Sequence, residues 1–281
     1  MAMTHPDQGT SGISPLLERE QIFFTACNEI EKDLPVIARL GVGVEIQTFA
    51  MPQVIENMYE KRLDGILEAL THVRGPIGCH GPFIDTVHYS PDPAVRHNAY
   101  QRYQQALDVA RRTKAGYVIF HSQFNPLIKT REYRDLYHNY SIGFWPPILD
   151  QAAKQGTAIY LENMFEPTPE PLMRLLDDLR AEHLGICLDL AHINLYSNWP
   201  TQVWIDMLRP YIRHIHLSDS HGEYDDHLPL GEGILDFARF IGQLRDVPHP
   251  LTFALEHDNH RQAQASLAYL GLEQPGEQPG A

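Results

Sequence analysis

The chain has few cysteines and no long apolar run. Its three cysteines, Cys27, Cys79 and Cys187, show no CxxC spacing and have apolar or strand-like neighbours. They are therefore expected to be reduced core residues of a cytosolic protein, with no role in metal-thiolate chemistry. No apolar stretch approaches the ~20 residues that cross a bilayer, and the polar start of the chain lacks the apolar core of a signal peptide. We expect a cytoplasmic protein without a membrane segment.

Basic residues are also scarce. The chain carries 22 Lys and Arg against 36 Asp and Glu, for a formal net charge of −14. Phosphate backbones are held mainly by Lys and Arg, so this balance argues against a nucleic-acid binder, although bound metal ions would offset part of the charge locally. No glycine-rich phosphate loop follows the first predicted strand, which weakens the case for a doubly wound, dinucleotide-binding sheet.

The length and the hydrophobic content suit one large core. A chain of 281 residues with 43% hydrophobic residues is typical of a single α/β domain. Residues 1–15 are polar and are expected to form a flexible N-terminal segment. Residues 271–281 repeat EQPG and offer little to bury, so a disordered tail is expected there. The domain itself is predicted over residues 16–270.

Short β-rich runs alternate with amphipathic stretches along this domain. The predicted strands are 21–27, 41–47, 76–80, 116–121, 157–162, 184–190, 212–219 and 251–256. Helical spacing of apolar residues is found at 99–113, 170–182 and 236–247. Eight strands with intervening helices predict a (β/α)8 TIM barrel, with an open doubly wound sheet as the alternative. The aromatic segment 122–147 is predicted to be part helix and part cover over the barrel mouth.

Potential metal ligands stand where these strands end. The nine candidates are His80, His121, Glu162, Asp189, His192, His216, Asp225, His227 and Glu256. In a barrel, residues at the C-terminal ends of the strands converge on one mouth. Nine imidazoles and carboxylates in series therefore predict a metalloenzyme.

The candidates divide into two groups by chemistry. Three carboxylates and one imidazole could surround one cation, and such a set suits Mn²⁺, Mg²⁺ or Co²⁺ as well as zinc. This group comprises Glu162, Asp189, His216 and Glu256. The remaining five add enough nitrogen for one or two more ions, preferably zinc, or could bind substrate oxygens directly. Glu45, at the end of the second strand, could orient a ligating histidine. Phe83, Trp145 and Trp199 could form apolar walls for a substrate.

Several short motifs carry a family resemblance, through their order and spacing. They are CHGPF (79–83), SPDPAVR (90–96), VIFH (118–121), YLEN (160–163), GICLDLAH (185–192), HIHLSD (214–219), DDHLPLGEG (225–233) and FALEH (253–257). In this order the chain resembles the xylose isomerase-like TIM-barrel superfamily over about residues 20–260. That superfamily includes sugar-phosphate isomerases and epimerases and the endonuclease IV class.

The resemblance implies two alternative sites. In the isomerases and epimerases, the four-residue group would hold one divalent metal, with Glu162 and Glu256 as the acid/base pair. In the endonuclease class all nine residues would hold a trinuclear zinc cluster, bridged by Glu162. The strand-six signature of that class ends Asp-Thr-Cys-His, whereas this chain has Asp189-Leu190-Ala191-His192.

We therefore expect a metal-dependent isomerase or epimerase of a small sugar or sugar phosphate, acting through a metal-stabilised enediolate. Its cofactor would be one to three ions of Mn²⁺, Co²⁺ or Zn²⁺. The alternative is a multinuclear zinc phosphodiesterase. In the first case His192, His227, Phe83 and Trp199 would contact the substrate. Barrels of this kind often pair through their outer helices, so a homo-oligomer is left open.

Overall fold

The computed structural model describes residues 17–27 and 30–273 and contains a closed eight-stranded barrel. The strands are β1 Ile22–Ala26, β2 Gly43–Ile46, β3 Ile77–His80, β4 Tyr117–His121, β5 Ala158–Glu162, β6 Leu184–Asp189, β7 Ile212–Leu217 and β8 Thr252–Leu255. All are parallel and follow sequence order around the ring, and β1 pairs with both β2 and β8. The predicted TIM barrel is confirmed, and the open doubly wound sheet is excluded.

Helices surround the barrel. They are α1 Ile30–Leu40, α2 Pro52–Leu70, α3 Pro93–Thr113, α4 Arg131–Gln155, α5 Glu170–Leu179, α6 Leu190–Tyr196, α7 Thr201–Leu208, α8 Phe237–Gln243 and α9 His260–Tyr269. The helical patterns predicted at 99–113, 170–182 and 236–247 coincide with α3, α5 and α8. None of the helices in the described part of the chain combines the length and the apolar character that a membrane span needs.

Alternating side chains divide each strand between two environments. Residues that point outward, such as Val118 and Phe120 of β4, pack under the helices in the main hydrophobic core. The inward-facing residues include a smaller apolar cluster, formed by Phe23, Tyr117, Ile119, Cys187 and Ala254. These side chains fill the barrel interior, as is usual for eight strands, and leave polar residues for its upper end.

The segment 122–147 is more helical than its prolines suggest. Helix α4 begins at Arg131, capped by the Thr130 hydroxyl, and continues through Pro146 and Pro147. A proline inside a helix removes one backbone donor. Both prolines are exposed, so water can satisfy the carbonyl groups that lose their helical partners. Only residues 122–130 of the segment remain as a loop, so the predicted cover over the mouth is short.

One predicted wall residue is not at the mouth. Trp145 is fully buried on the inner face of α4, where its ring packs against Tyr103, Phe120 and His88. The helical periodicity directs it toward the barrel wall, and the proposed contact with substrate was therefore wrong. The predicted flexible segment 1–15 and residues 274–281 of the predicted tail lie outside the described residues.

Candidate metal centre

The C-terminal mouth of the barrel is lined by polar side chains at consecutive strand ends. His80, His121, Glu162 and Asp189 are the last residues of β3, β4, β5 and β6, His216 is the penultimate residue of β7 and Glu256 directly follows β8. All six are buried. They share one layer because each side chain points into the barrel and lies two residues further along its strand than the previous inward-pointing residue.

Four of these residues form the tightest group. Ligand atoms of Glu162, Asp189, His216 and Glu256 all lie within 4.8 Å of one another. The Nδ1 atom of His216 is 3.2 Å from Oε1 of Glu162 and 2.9 Å from Oε2 of Glu256. Three carboxylates and one imidazole in so small a volume form a donor set suited to one divalent cation.

His80 and His121 meet the other oxygen of Glu162. The Nε2 atoms of both histidines lie 3.2 Å from Glu162 Oε2. Nδ1 of His80 is 2.7 Å from the Gly81 carbonyl and so can donate to it, which leaves the lone pair of Nε2 directed at Glu162. Glu162 is therefore shared, since Oε1 faces the four-residue group and Oε2 faces the two histidines.

His192, Asp225 and His227 complete the cluster. Oδ2 of Asp225 lies 3.1 Å from Nε2 of His192 and 3.4 Å from Nε2 of His227. Nδ1 of His192 is 2.8 Å from the Asn163 carbonyl, to which it can donate, and 3.3 Å from Glu162 Oε1. The structure thus brings all nine predicted ligands together around Glu162.

The loop after β7 is folded by a buried carboxylate that was not predicted. Asp219 accepts hydrogen bonds from the backbone N–H groups of Gly231, Gly233 and Leu235 at 2.9–3.1 Å. Within this loop His227 adopts a φ of 49°, in the left-handed region that disfavours residues other than glycine. The surrounding loop must therefore impose this conformation and, with it, the position of the imidazole.

Another missed residue ties two strand ends together. The side chain of Asn163 donates to the carbonyl of Asp189 at 3.0 Å and accepts from its N–H at 2.9 Å. These two hydrogen bonds extend the pairing of β5 and β6 beyond the strand ends, and they hold Asp189 beside Glu162. The motif YLEN contained the residue, but only the fold shows its partner.

Charges in the cluster are strongly coupled. Burial and the neighbouring charges of Glu162, Glu256 and Asp225 raise the pKa of Asp189 to about 7, against the effect of His192. Burial alone would raise the pKa of Glu256, but His216 and His227 lower it to about 2. Crowded carboxylates of this kind repel one another unless a cation lies between them.

The donor set fits a divalent metal. Two buried carboxylate oxygens, Asp225 Oδ1 and Glu256 Oε2, make no hydrogen bond with the described residues, although Glu256 Oε2 lies 2.9 Å from Nδ1 of His216. Buried polar atoms are rarely left in this state, and the two carboxylate oxygens are anionic donors that a cation would satisfy. The four-residue group would hold a first ion, and the remaining five predicted ligands stand where further ions could bind.

A polar network supports His216 from below. Glu45 is fully buried, with Oε1 3.3 Å from Nε2 of His216 and Oε2 3.3 Å from Nε2 of His214. Tyr117 donates to Glu45 Oε2 at 2.9 Å. Burial would raise the pKa of Glu45, but His216 and His214 hold it well below its ordinary value. Glu45, predicted to orient a ligating histidine, thus lies against His216, one of the predicted ligands.

The cluster opens into a cavity of about 360 Å³. Its lining includes Phe83, His192 and His227, which were predicted to contact substrate. Cys27 also lines it, whereas Cys79 and Cys187 are buried, and all three thiols are free. Trp199, also predicted to contact substrate, is 43% exposed and does not line this cavity.

Comparisons with known proteins agree with this fold. Residues 35–272 match the family model of xylose isomerase-like TIM barrels. The structure of the TTHB071 protein from Thermus thermophilus, soaked with ZnCl₂, is 27% identical with a TM-score of 0.73, over 91% of this chain and 100% of that one. A D-tagatose 3-epimerase-like protein is 23% identical with the same TM-score, over 89% and 95%. The uncharacterised protein MJ1311 of Methanocaldococcus jannaschii is 26% identical over 75% of this chain and 74% of its own.

Proposed function

The chain belongs to the family of xylose isomerase-like TIM barrels, and on that basis we propose that it is a divalent-metal-dependent isomerase or epimerase of a small sugar. The observation that carries this proposal is the pair of carboxylates, Glu162 and Glu256, placed beside His216 and Asp189 in one buried donor set. Both glutamates line the cavity that a substrate would enter. Similarity to a D-tagatose 3-epimerase-like fold supports the same class of reaction.

The two glutamates are suited to proton transfer at carbon. Oε1 of Glu256 accepts a hydrogen bond from Gln47 at 2.8 Å, which orients the carboxylate and turns Oε2 toward His216 and the donor set. Burial would raise the pKa values of both glutamates, but nearby histidines hold them low, so each is ionised near neutral pH, as a base must be. A divalent cation would supply the positive charge that stabilises an enediolate. One glutamate would remove the proton and the other would return it.

Other cavity residues would hold the substrate. His192 and His227 both lie close to Asp225, which keeps their rings oriented toward the cavity. Both ring nitrogens of His192 already face protein groups, so its ring would contact a substrate by packing. Nδ1 of His227, the ring atom that does not face Asp225, could meet a hydroxyl oxygen, and Phe83 offers an apolar surface beside it. A volume of about 360 Å³ lies at the small end of the ~300–1,000 Å³ typical of ligand sites, which favours a monosaccharide unit.

The cavity favours an unphosphorylated sugar. Arg62 is the one Lys or Arg among its described lining residues, and its guanidinium pairs with Glu31. Phosphate recognition usually relies on Arg or Lys with donors directed at the anion. The remaining wall near the metal centre offers Gln47, Thr48 and Gln53, which are suited to hydroxyl groups.

A second candidate function is phosphodiester hydrolysis at a multinuclear zinc centre. The observation that favours it is the ring of extra nitrogen ligands around Glu162, with His80 and His121 at 3.2 Å from one of its oxygens. A single-ion isomerase does not require these ligands. With two or three zinc ions, His192 and His227 would be ligands and would no longer contact substrate.

The metal content of untagged protein distinguishes the two functions. One ion per chain, with interconversion of free ketoses stimulated by manganese or cobalt, is the expected result. Loss of turnover in Glu256→Gln with the bound ion retained would assign this carboxylate to proton transfer. Two or three zinc ions per chain, with cleavage of phosphodiesters and no action on ketoses, would overturn the proposal in favour of hydrolysis.

A further inference from the structure

A second cavity of about 640 Å³ adjoins the metal centre. It shares three walls with the first cavity, namely Phe83, His121 and Met164. Its other walls come from the loops after β3, β4 and β5 and from the end of α6, so it lies on one side of the barrel mouth. A ligand at the metal centre could therefore extend into it. We call this space the side cavity.

Two amide side chains at the side cavity are partly engaged with protein groups. Gln123 donates through Nε2 to the Phe83 carbonyl at 2.7 Å. Oδ1 of Asn125 accepts the N–H of Leu127 at 3.0 Å. Groups turned toward protein partners offer little to water or to a sugar hydroxyl. What faces the space is mainly hydrocarbon, and polar recognition is left to the metal centre.

Exposed apolar residues are concentrated here. Nine large hydrophobic side chains are exposed in the described part of the chain. Four of them line the side cavity, namely Ile84, Leu127, Phe165 and Tyr196. Scattered exposed hydrophobic residues need no explanation, but a contiguous group around a cavity marks a binding site. Their apolar surface would be removed from water by a ligand.

Aromatic rings define the shape of the space. Phe165 and Tyr196 pack edge to face with their centroids 5.0 Å apart, on the side formed after β5 and β6. Phe83 stacks on His121, one of the predicted metal ligands, with the ring centroids 4.9 Å apart and 28° between the ring planes. Rings in these orientations present faces and edges that a planar aromatic group can pack against.

We propose that the substrate carries a planar apolar substituent, at least as large as a phenyl ring, which occupies the side cavity while the sugar lies at the metal centre. The inference rests on the proposed function for the sugar half of the ligand. It commits to an aromatic or similarly apolar conjugate as the preferred substrate, over the free ketose that the metal centre alone would accept. The shared wall at Phe83 and His121 is where the two halves would join.

Hydroxamates test this without turnover, because their two adjacent oxygens chelate a divalent ion as an enediolate would. The probes are acetohydroxamate and a series in which zero to three methylenes separate the hydroxamate from a phenyl ring. Binding to the metal-loaded full-length protein is measured by calorimetry. The best phenyl compound is expected to bind at least tenfold more tightly than acetohydroxamate. Phe165→Ala and Leu127→Asn should remove most of that gain and leave acetohydroxamate binding unchanged.

Trp199→Ala is the matched control, since this ring is exposed to a similar extent, 43% against 41% for Phe165, but lies outside the side cavity. It should leave the gain intact. Equal affinity for all hydroxamates would overturn the inference and leave the metal centre standing. If acetohydroxamate itself does not bind, the metal-centre proposal fails. Crystals soaked in phenol then test the side cavity independently of the metal centre. Phenol between Ile84 and Phe165 would support the side cavity as an aromatic site, and its absence there would overturn it.

Discussion

Glu45→Gln should weaken metal binding although Glu45 is not itself one of the predicted metal ligands. The carboxylate lies 3.3 Å from Nε2 of His216, on the side of the ring opposite to the donor set. Glutamine keeps the shape and can still accept from Tyr117, but it removes the negative charge. An ion on Nδ1 would be roughly 7 Å from Glu45 once the ring and a bond of about 2 Å are added. At an effective dielectric constant of about 20, one unit of charge at that distance contributes about 2 kcal/mol.

One unit of charge is used because a divalent ion that replaces a proton on the ring changes the local charge by one unit. The resulting energy corresponds to a loss of about 30-fold in affinity. It agrees with the 10–100-fold effects typical of groups behind metal ligands. Competition with a coloured chelator at fixed pH measures the affinity for zinc and for manganese. The prediction would be refuted if Glu45→Gln bound both metals within twofold of the unaltered protein.

Asp33→Asn provides the control for this experiment. Asp33 is also a buried carboxylate and accepts from a histidine, with Oδ1 2.8 Å from Nδ1 of His260, but it lies on α1 and outside the donor set. Both substitutions remove a buried charge and are expected to lower the free energy of unfolding. Only Glu45→Gln should lower metal affinity. A similar loss in both variants would assign the effect to the fold and not to His216.

Three further predictions concern the metal and the core. Glu162→Ala and Asp189→Ala should each strip the shared ion and abolish turnover with an unchanged far-ultraviolet dichroism spectrum; full metal content in both would contradict the assignment. Chelation should lower the melting temperature, since ligand at about 100 times its Kd stabilises by about 2.7 kcal/mol; equal melting of both forms would argue against a metal in this cluster. Burial lowers the pKa of His88 to about 3, below its unfolded value of about 6.5, so its contribution is present above pH 6.5 and lost as the pH falls toward 3. By pH 5 the loss is about 2 kcal/mol in urea unfolding, and His88→Phe should lack this component.

The ends of strands such as β4 and β5 could be predicted from the sequence, because each of these strands is a buried apolar run that ends in an inward-pointing polar residue. In a parallel barrel the outward residues pack under helices and the inward ones fill the centre, so such strands lose the usual polar alternation. A histidine or carboxylate at the end of such a run, as in VIFH before Ser122 or YLE before Asn163, then stands out. Closure of the barrel then brings the six ligand-bearing strand ends, from β3 to β8, together at one site.

The remaining features depend on contacts that no local pattern contains. The segment 122–147 was predicted to be part cover, but α4 continues through Pro146 and Pro147 because both prolines face water. Trp199 and Trp145 looked equivalent as wall residues, but helical phase buries one and an outer loop exposes the other. The side cavity is assembled from four separate segments, and Asp219 folds a loop through residues twelve to sixteen positions away.

The divided role of Glu162 has a consequence for regulation by metal supply. One of its oxygens faces His216 and His192, and the other faces His80 and His121. Cations held on both sides of this carboxylate would draw electron density from it and make it a weaker base. Filling the histidine side of the cluster would therefore slow proton transfer by Glu162. The zinc level around the protein would then act as a brake, and the same side chain would set both the activity and the concentration at which it falls.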